Sequence, residues 1–509
     1  MPTANIRSYA IDGIGARAVD IEVHISAGLP AFNIVGLPEA AVRESRERVR
    51  SAILNSNFEF PPRRITVNLA PADFPKQGGG FDLPIALGVL VATEQVQSKT
   101  CNQFSYSAEL SLVGELRSIK GLLPIAIASG EDKRSLICAS IKPSDRALLK
   151  DINIYSAESL IDVCAHLAGS QYLPPYSTQP SDISIPTNAS VSQPLDLEEV
   201  RGQLMAKTAL EIAAAGAHNL LLKGPPGAGK SMLAKRMASI LPSLSDDDAL
   251  QCASIYSIAG DTRSDPQIPP VRAPHHTASS ASLVGGGSIP MPGEVSLAHK
   301  GVLFLDELPE FAPKVLEALR EPLENGDITI SRANKRSIFP ASFQLIAAMN
   351  PCPCGYHGSN RCQCVSERVA RYQNRVSGPL LDRIDMQVVL DVTDPASLLK
   401  SNSQASNSHT LQSETSAQVK QRVVAARNRQ LARQGKANAN LTLPEIEKYA
   451  AIDIESQELL SSAMDRLRLS ARALHKVLRV ALTISDLAQE DFATRHIRQA
   501  LTYRDTSIH

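Results

Sequence analysis

The chain has 509 residues, and its 52 Lys and Arg balance 52 Asp and Glu, so the formal net charge is zero. That balance excludes a partner held through bulk charge, whether nucleic acid or membrane, and any such surface has to be local. An apolar share of 43 % with 28 Gly and 33 Pro excludes a disordered chain, and the length allows about three domains with cores of their own.

From the N-terminus, Met1 to Val23 lacks a continuous apolar signal core and no later stretch reaches membrane-spanning length, so a cytoplasmic chain without a membrane partner is expected. Cysteine usage fits a reducing compartment: Cys101, Cys138, Cys164 and Cys252 are scattered, and the other four cluster. Ala18 to Ile25 alternates apolar and polar residues like a half-buried strand. Ala40 to Leu54 has helical spacing, and Arg64 to Leu69 returns to a strand pattern. After Gly78-Gly79-Gly80, Leu83 to Val91 is apolar enough for a buried helix, while Leu136 to Ala139 and Ile152 to Tyr155 are short strand candidates. Residues 1–175 therefore read as an α/β module. Pro, Ser and Thr crowd the next stretch and make 176–195 a linker.

Residues 196–400 carry the chemistry. Gly224-Pro225-Pro226-Gly227-Ala228-Gly229-Lys230-Ser231 fits the Walker A pattern, with Asn219 to Leu222 strand-like before it and Met232 to Leu241 helical after it. Glycines let backbone N–H groups curl around phosphates, the helix N-terminus favours negative charge, Lys230 adds a cation and Ser231 can ligate magnesium. Farther on, Gly301 to Leu305 is an apolar strand that ends in Asp306 and Glu307, the Walker B arrangement. A buried parallel strand has no packing use for acids, but the carboxyl edge of an open sheet is where ligands bind. Asp306 can hold magnesium and Glu307 can polarise the attacking water. Another apolar strand, Phe343 to Met349, ends in Asn350, whose amide can orient that water, although an Asn before Pro351 also starts turns. Within Ser377 to Asp385, Arg383 can pair with Asp382 or Asp385, or reach a phosphate bidentately as an arginine finger.

Cys352, Cys354, Cys362 and Cys364 bracket a short loop at 352–364. Four thiols so close suit a tetrahedral thiolate site for structural zinc, less well for iron, with His357 as a substitute ligand; the C-x-C spacing is tighter than the usual C-x2-C. Residues 401–416 form a second polar linker, and 417–509 read as wholly helical.

Taken together, GPPGAGKS, APHHTASSASLVGGGSIPMPGEVSLAHKGVLFLDELPEF, AAMNPCPCGYHG and SGPLLDRID resemble the ComM/YifB family, magnesium-chelatase-like AAA+ ATPases, and the likeness runs end to end. The resemblance implies a Lon-protease-like, ChlI-type domain over 1–175, a AAA+ core of the helix-2-insert clade over 196–400, and a helical lid over 417–509. It makes Ser279 to Ser296 the inserted segment, Gly326 to Ile338 the hairpin before sensor 1, Arg383 the finger and Arg472 the sensor 2 arginine. Proteolysis is not expected, because Gly80 stands where the family fold would place a nucleophilic serine and Ile125 where it would place the lysine.

Function follows from the same resemblance: ATP and Mg2+ as ligands, a homo-hexameric ring, and branch migration of single-stranded or branched DNA in recombination and natural transformation. Arg332, Lys335 and Arg336 on the hairpin are the DNA-contact candidates, with a weaker cluster at Arg422, Arg427, Arg429, Arg433 and Lys436. The competing reading is a magnesium-chelatase-like protein remodeller that does not act on DNA.

Overall fold

A computed structural model describes residues 3–96, 100–175, 195–287, 290–332, 335–391, 414–467 and 469–504. The linker expected at 176–195 lies outside these residues up to 194, and the one at 401–416 up to 413. The chain divides into two compact units, each with its own core. The first holds 1–187 together with 245–266 and 335–339; the second holds 188–244, 267–334 and 340–509.

In the first unit, Thr3–Asp12, Gly15–Ser26 and Arg64–Ala70 run antiparallel, and Ala31–Val35 adds a parallel edge. The alternation read at 18–25 has the expected cause: Val19, Ile21, Val23 and Ile25 are buried on one face. The helix Asp82–Ala92 packs over that face, and Gly88 permits the approach, since a Cβ there would stand 2.5 Å from Val23 Cγ2. A second, parallel sheet joins Phe104–Ser107, Ser135–Cys138 and Ile154–Ser156. Gly80 is buried, and a Cβ on it would meet Ile119 Cδ1 at 2.8 Å; Ile125 is buried too, so neither position offers a nucleophile or a base. The helix Asp246–Ala259 belongs to this unit, tied by Gly121 N–H to Ser257 O and by Lys150 to Asp246.

The second unit is built on a five-stranded parallel sheet in the order Val271–Arg272, Val302–Leu305, Gln344–Met349, Leu220–Lys223, Met386–Val389. Strands covered on both faces read as unbroken apolar runs, which is why Leu220 to Leu222 and Val302 to Leu305 show no alternation. In a parallel sheet every strand delivers its C-terminal residue to the same edge, so Gly224, Asp306 and Asn350 emerge side by side. Helices Ser416–Gln434, Leu443–Tyr449, Ile454–Leu467, Ala471–Ala488 and Thr494–Thr502 make up the C-terminal region.

Two readings of charge change here. Arg422 is bidentate to Glu211 and Glu414, Arg427 donates to the carbonyls of Ala214 and Ala215, Arg433 grips Asp486, and Lys436 pairs with Glu445. Of that candidate DNA cluster only Arg429 stays exposed without such a partner among the described contacts; the others pin Ser416–Gln434 in place. Arg383, moreover, pairs with neither Asp382 nor Asp385. Asp385 is nearly buried and accepts from the Asn219 N–H and from Lys476, whose ammonium also reaches the carbonyls of Asp382 and Ile384. Beneath it lies His218, wholly buried, its Nε2 on Thr483 Oγ1 at 2.7 Å. Thr483 gives its own proton to Arg479 O, so His218 Nε2 is the donor and Nδ1 is bare, 3.9 Å from Asp385.

Burial pushes the His218 imidazole down to about 4 from 6.5, so it is neutral in the fold. Between those pH values the unfolded chain binds a proton that the folded chain refuses, and stability falls as pH falls through that window. Thermal denaturation from pH 7 to 4.5 is expected to show a declining midpoint of the second unit. His218→Asn should remove about 2 kcal/mol of that decline by pH 4.5; an unchanged slope would place its cause elsewhere.

Candidate nucleotide-binding site

The strand Leu220–Lys223 runs straight into the glycine loop, and the helix Lys230–Ile240 leaves it. Gly227 and Gly229 take φ of +80° and +88°, conformations that side chains resist, and Gly224 has Leu390 O 2.7 Å from where a Cβ would stand. The loop thus depends on glycine for both its turn and its close approach. Lys230 is almost fully buried, and its ammonium donates to Gly224 O at 2.7 Å, Pro225 O at 2.8 Å and Asn350 Oδ1 at 3.0 Å. Burial pulls its pKa below the usual lysine range, and the charges of Asp306 and Glu307 oppose that fall. The ammonium stands ready to exchange carbonyl oxygens for phosphate oxygens.

Across the loop, the Ser231 hydroxyl donates to Asp306 Oδ2, so the two groups read as magnesium ligands come together from separate elements. The other Asp306 oxygen accepts the Glu307 N–H at 2.9 Å. Glu307 has left-handed backbone angles, φ 52° and ψ 46°, which cost a non-glycine residue about 1 kcal/mol. Its carboxylate meets His276 Nδ1 at 3.2 Å, and the His276 ring stacks on His275 at 4.1 Å. Sequence reasoning did not single out His276. The signal lay in strand order: Val271–Arg272 neighbours Val302–Leu305, so residues just after it reach the same edge.

The backbone N–H of Asn350 also faces the Tyr372 hydroxyl. Burial first, then the charges of Glu310 and Glu307, push the Tyr372 hydroxyl up to about 12. Tyr372 is another contributor that no motif announced. Arg383 donates to Pro379 O at 2.7 Å and to Glu324, which it draws below the ordinary carboxylate range. Arg472, exposed at the start of Ala471–Ala488, adds its own pull on Glu324. Arg383 therefore contacts Glu324, and Arg472 lies near enough to act on the same carboxylate through its charge.

The four sulfurs of Cys352, Cys354, Cys362 and Cys364 lie within 4.8 Å of one another, with Sγ–Sγ separations of 3.3 Å for 352–354, 3.9 Å for 352–362 and 3.7 Å for 354–362. All eight cysteines are free. The N–H groups of Tyr356 and Gln363 lower the Cys354 thiol to about 6, whereas Cys362 is raised to about 11 and Cys364 is raised too beside the neighbouring sulfurs. His357 is exposed and stands outside this group. Strands Asp327–Arg332 and Lys335–Pro340 occupy the expected hairpin; Arg336 is exposed, and the side chains of Arg332 and Lys335 lie outside the described residues. Among the described residues no helix is long and apolar enough to cross a membrane.

Residues 196–398 match the magnesium chelatase subunit ChlI family, 21–141 match the family described as subunit ChlI of Mg-chelatase, and 413–504 match the ChlI C-terminal family. The chain is 46 % identical to Competence protein ComM of Haemophilus influenzae, over 99 % of this chain and 98 % of that protein. It is 45 % identical to the uncharacterized protein YifB of Escherichia coli, over 99 % and 97 %. Likeness to the magnesium-chelatase 67 kDa subunit of Chlorobaculum parvum is 25 % over 30 % of this chain and 23 % of that one.

Replacing Lys230 by Met removes the one buried ammonium facing the loop. Charge-assisted bonds of this kind predict a loss of about 10- to 100-fold in nucleoside triphosphate affinity. Titration with a fluorescent ATP analogue measures it, and equal affinity in the variant would dissociate Lys230 from phosphate binding.

Proposed function

The chain belongs to the ComM/YifB family of magnesium-chelatase-like AAA+ proteins, and on that premise we propose that it is a ring-forming ATPase that drives branch migration of DNA. What carries the ATPase reading is the meeting of Ser231 with Asp306 and of Lys230 with Asn350 at one sheet edge. Loop N–H groups and Lys230 bind the phosphates; Ser231 and Asp306 would hold magnesium, which supplies neutralisation of the charge on the phosphate oxygens. Glu307 takes the proton of the attacking water, Asn350 fixes that water, and His276 at 3.2 Å orients the carboxylate of Glu307.

Arg383, paired with Glu324, serves as the finger for a neighbouring protomer's phosphates and Arg472 contacts the γ-phosphate, so an isolated protomer's site is incomplete and the working form is a homo-hexamer. A ring repeats Arg332, Lys335 and Arg336 around one channel, and thereby makes a positive pore from neutral subunits. The competence name of the Haemophilus influenzae relative supports the finer reading, a helicase acting in the cytoplasm on single-stranded or branched DNA during homologous recombination and natural transformation. Zinc on the four cysteines completes the cofactor set. The partial match to a magnesium-chelatase subunit favours one alternative, a protein remodeller whose hydrolysis does not respond to DNA.

Glu307→Gln should keep ATP binding while hydrolysis falls by about 100-fold or more. Purified wild-type chain should convert a synthetic four-way junction in an ATP-dependent way that this variant cannot; absence of product from the wild type removes branch migration and leaves the ATPase. Arg383→Ala should be inactive alone, yet regain hydrolysis when mixed with Glu307→Gln, because each supplies what the other lacks. No gain on mixing would locate the arginine's action within one protomer. Changing both Lys335 and Arg336 to Ala should weaken DNA binding and flatten its salt dependence by about two units of slope; an unaltered salt slope would clear the hairpin of that role.

A further inference from the structure

The cysteine loop and the phosphate loop touch. Gly355, between Cys354 and Tyr356, is buried with φ +85°, and a Cβ placed on it would stand 2.3 Å from Pro226 Cδ and 2.6 Å from Cγ. The backbone of the cysteine loop therefore lies directly against the pyrrolidine ring of Pro226, in the middle of the Walker A sequence. Pro225, the preceding residue, supplies one of the carbonyls that hold the Lys230 ammonium. The cysteine loop also begins directly after Asn350, which holds the same ammonium from the other side.

This loop has little of its own to keep it in place. Residues 352–364 form turns and bends without helix or strand, and Pro353, His357, Gly358, Ser359, Asn360, Arg361 and Gln363 are exposed. Its internal backbone bonds are local ones: Gly355 N–H to Cys352 O, Ser359 N–H to Tyr356 O and Cys362 N–H to Ser359 O. The only buried side chain with partners from both ends of the loop is Cys352, and those partners are sulfurs. A segment without an apolar core owes its shape to whatever joins its ends, and a metal on four thiolates converts binding energy into fixed structure.

We propose that a zinc ion on Cys352, Cys354, Cys362 and Cys364 braces the nucleotide site: it closes the loop, holds Gly355 against Pro226, and so sets the affinity of the phosphate loop for ATP. The proposal rests on the reading of Lys230 and its loop as the nucleotide site. Binding replaces the thiol protons by the metal and releases them to solvent, with no change of oxidation state. The ion touches no substrate and acts on ATP chiefly through the Gly355–Pro226 contact.

The test uses the full chain purified with zinc present. Emission spectrometry should find about one zinc per chain. Stripping with a chelator should weaken binding of a fluorescent ATP analogue by about tenfold or more, and zinc should restore it. Hydrogen exchange in peptides covering 224–231 should quicken in step, which registers the effect even if stripping loosens the 352–364 loop. Pro226→Ala should retain its zinc while its nucleotide affinity no longer responds to the metal. Zinc-loaded and stripped chains that bind nucleotide equally would overturn the brace alone, as would a purified chain without zinc. A zinc-loaded wild type that binds no nucleotide would overturn the nucleotide reading and the brace with it.

Discussion

A cation taken out of water has to be repaid in oxygen, and much of the second unit's arrangement follows from how Lys230 meets that demand. Its ammonium is shared between the carbonyls of Gly224 and Pro225 and the amide of Asn350. These come from the loop after one strand and from the end of its neighbour, so the bond network holds two strand ends in register. Because parallel strands all finish at one edge, Asp306 and Glu307 arrive there too, and the Ser231–Asp306 bond closes the circle. The cation is thus already placed, with all three of its N–H donors on oxygen.

The arginines obey a different logic. Arg383 belongs to a segment whose carbonyls at Asp382 and Ile384 are held by Lys476, and Lys476 lies on the same helix as Arg472. Asp385 joins that lysine to the Asn219 N–H at the foot of the strand that leads to the phosphate loop. The helix Ala471–Ala488, the arginine segment and the central strand are thus tied by one buried polar cluster. Arg383 and Arg472 are thereby anchored to one packed cluster through Lys476 and its helix. The network is not saturated: His218 Nδ1 has no hydrogen-bond partner among the described residues, and burial keeps that ring neutral.

Local charge, not total charge, is what differentiates the surfaces of this neutral chain. Arg422, Arg427 and Arg433 of Ser416–Gln434 are consumed by Glu211, Glu414, Asp486 and backbone carbonyls, and serve to pin that helix. Arg336 remains exposed, on a strand beside the rest of the hairpin's basic residues. A run of basic residues in sequence carries no record of which of them face an acid in the fold.

Much of the chemistry was legible in the chain itself. The phosphate loop, the acidic strand end, Asn350 and the four cysteines announce themselves because each is a short, contiguous pattern whose local conformation follows from its residues: glycines where φ is positive, apolar runs where both faces are covered, thiols close enough to converge. The strands at 18–25, 64–69, 301–305 and 343–349 and the helices at 40–54 and 83–91 were readable for the same reason. What the chain could not announce were meetings between distant segments. His276 on Glu307, Tyr372 on Asn350, Arg383 and Arg472 at Glu324, and Gly355 against Pro226 depend on strand order and on how loops lie across a sheet edge. Those are decided by which faces bury together, a property of the whole packed unit and of no single stretch within it.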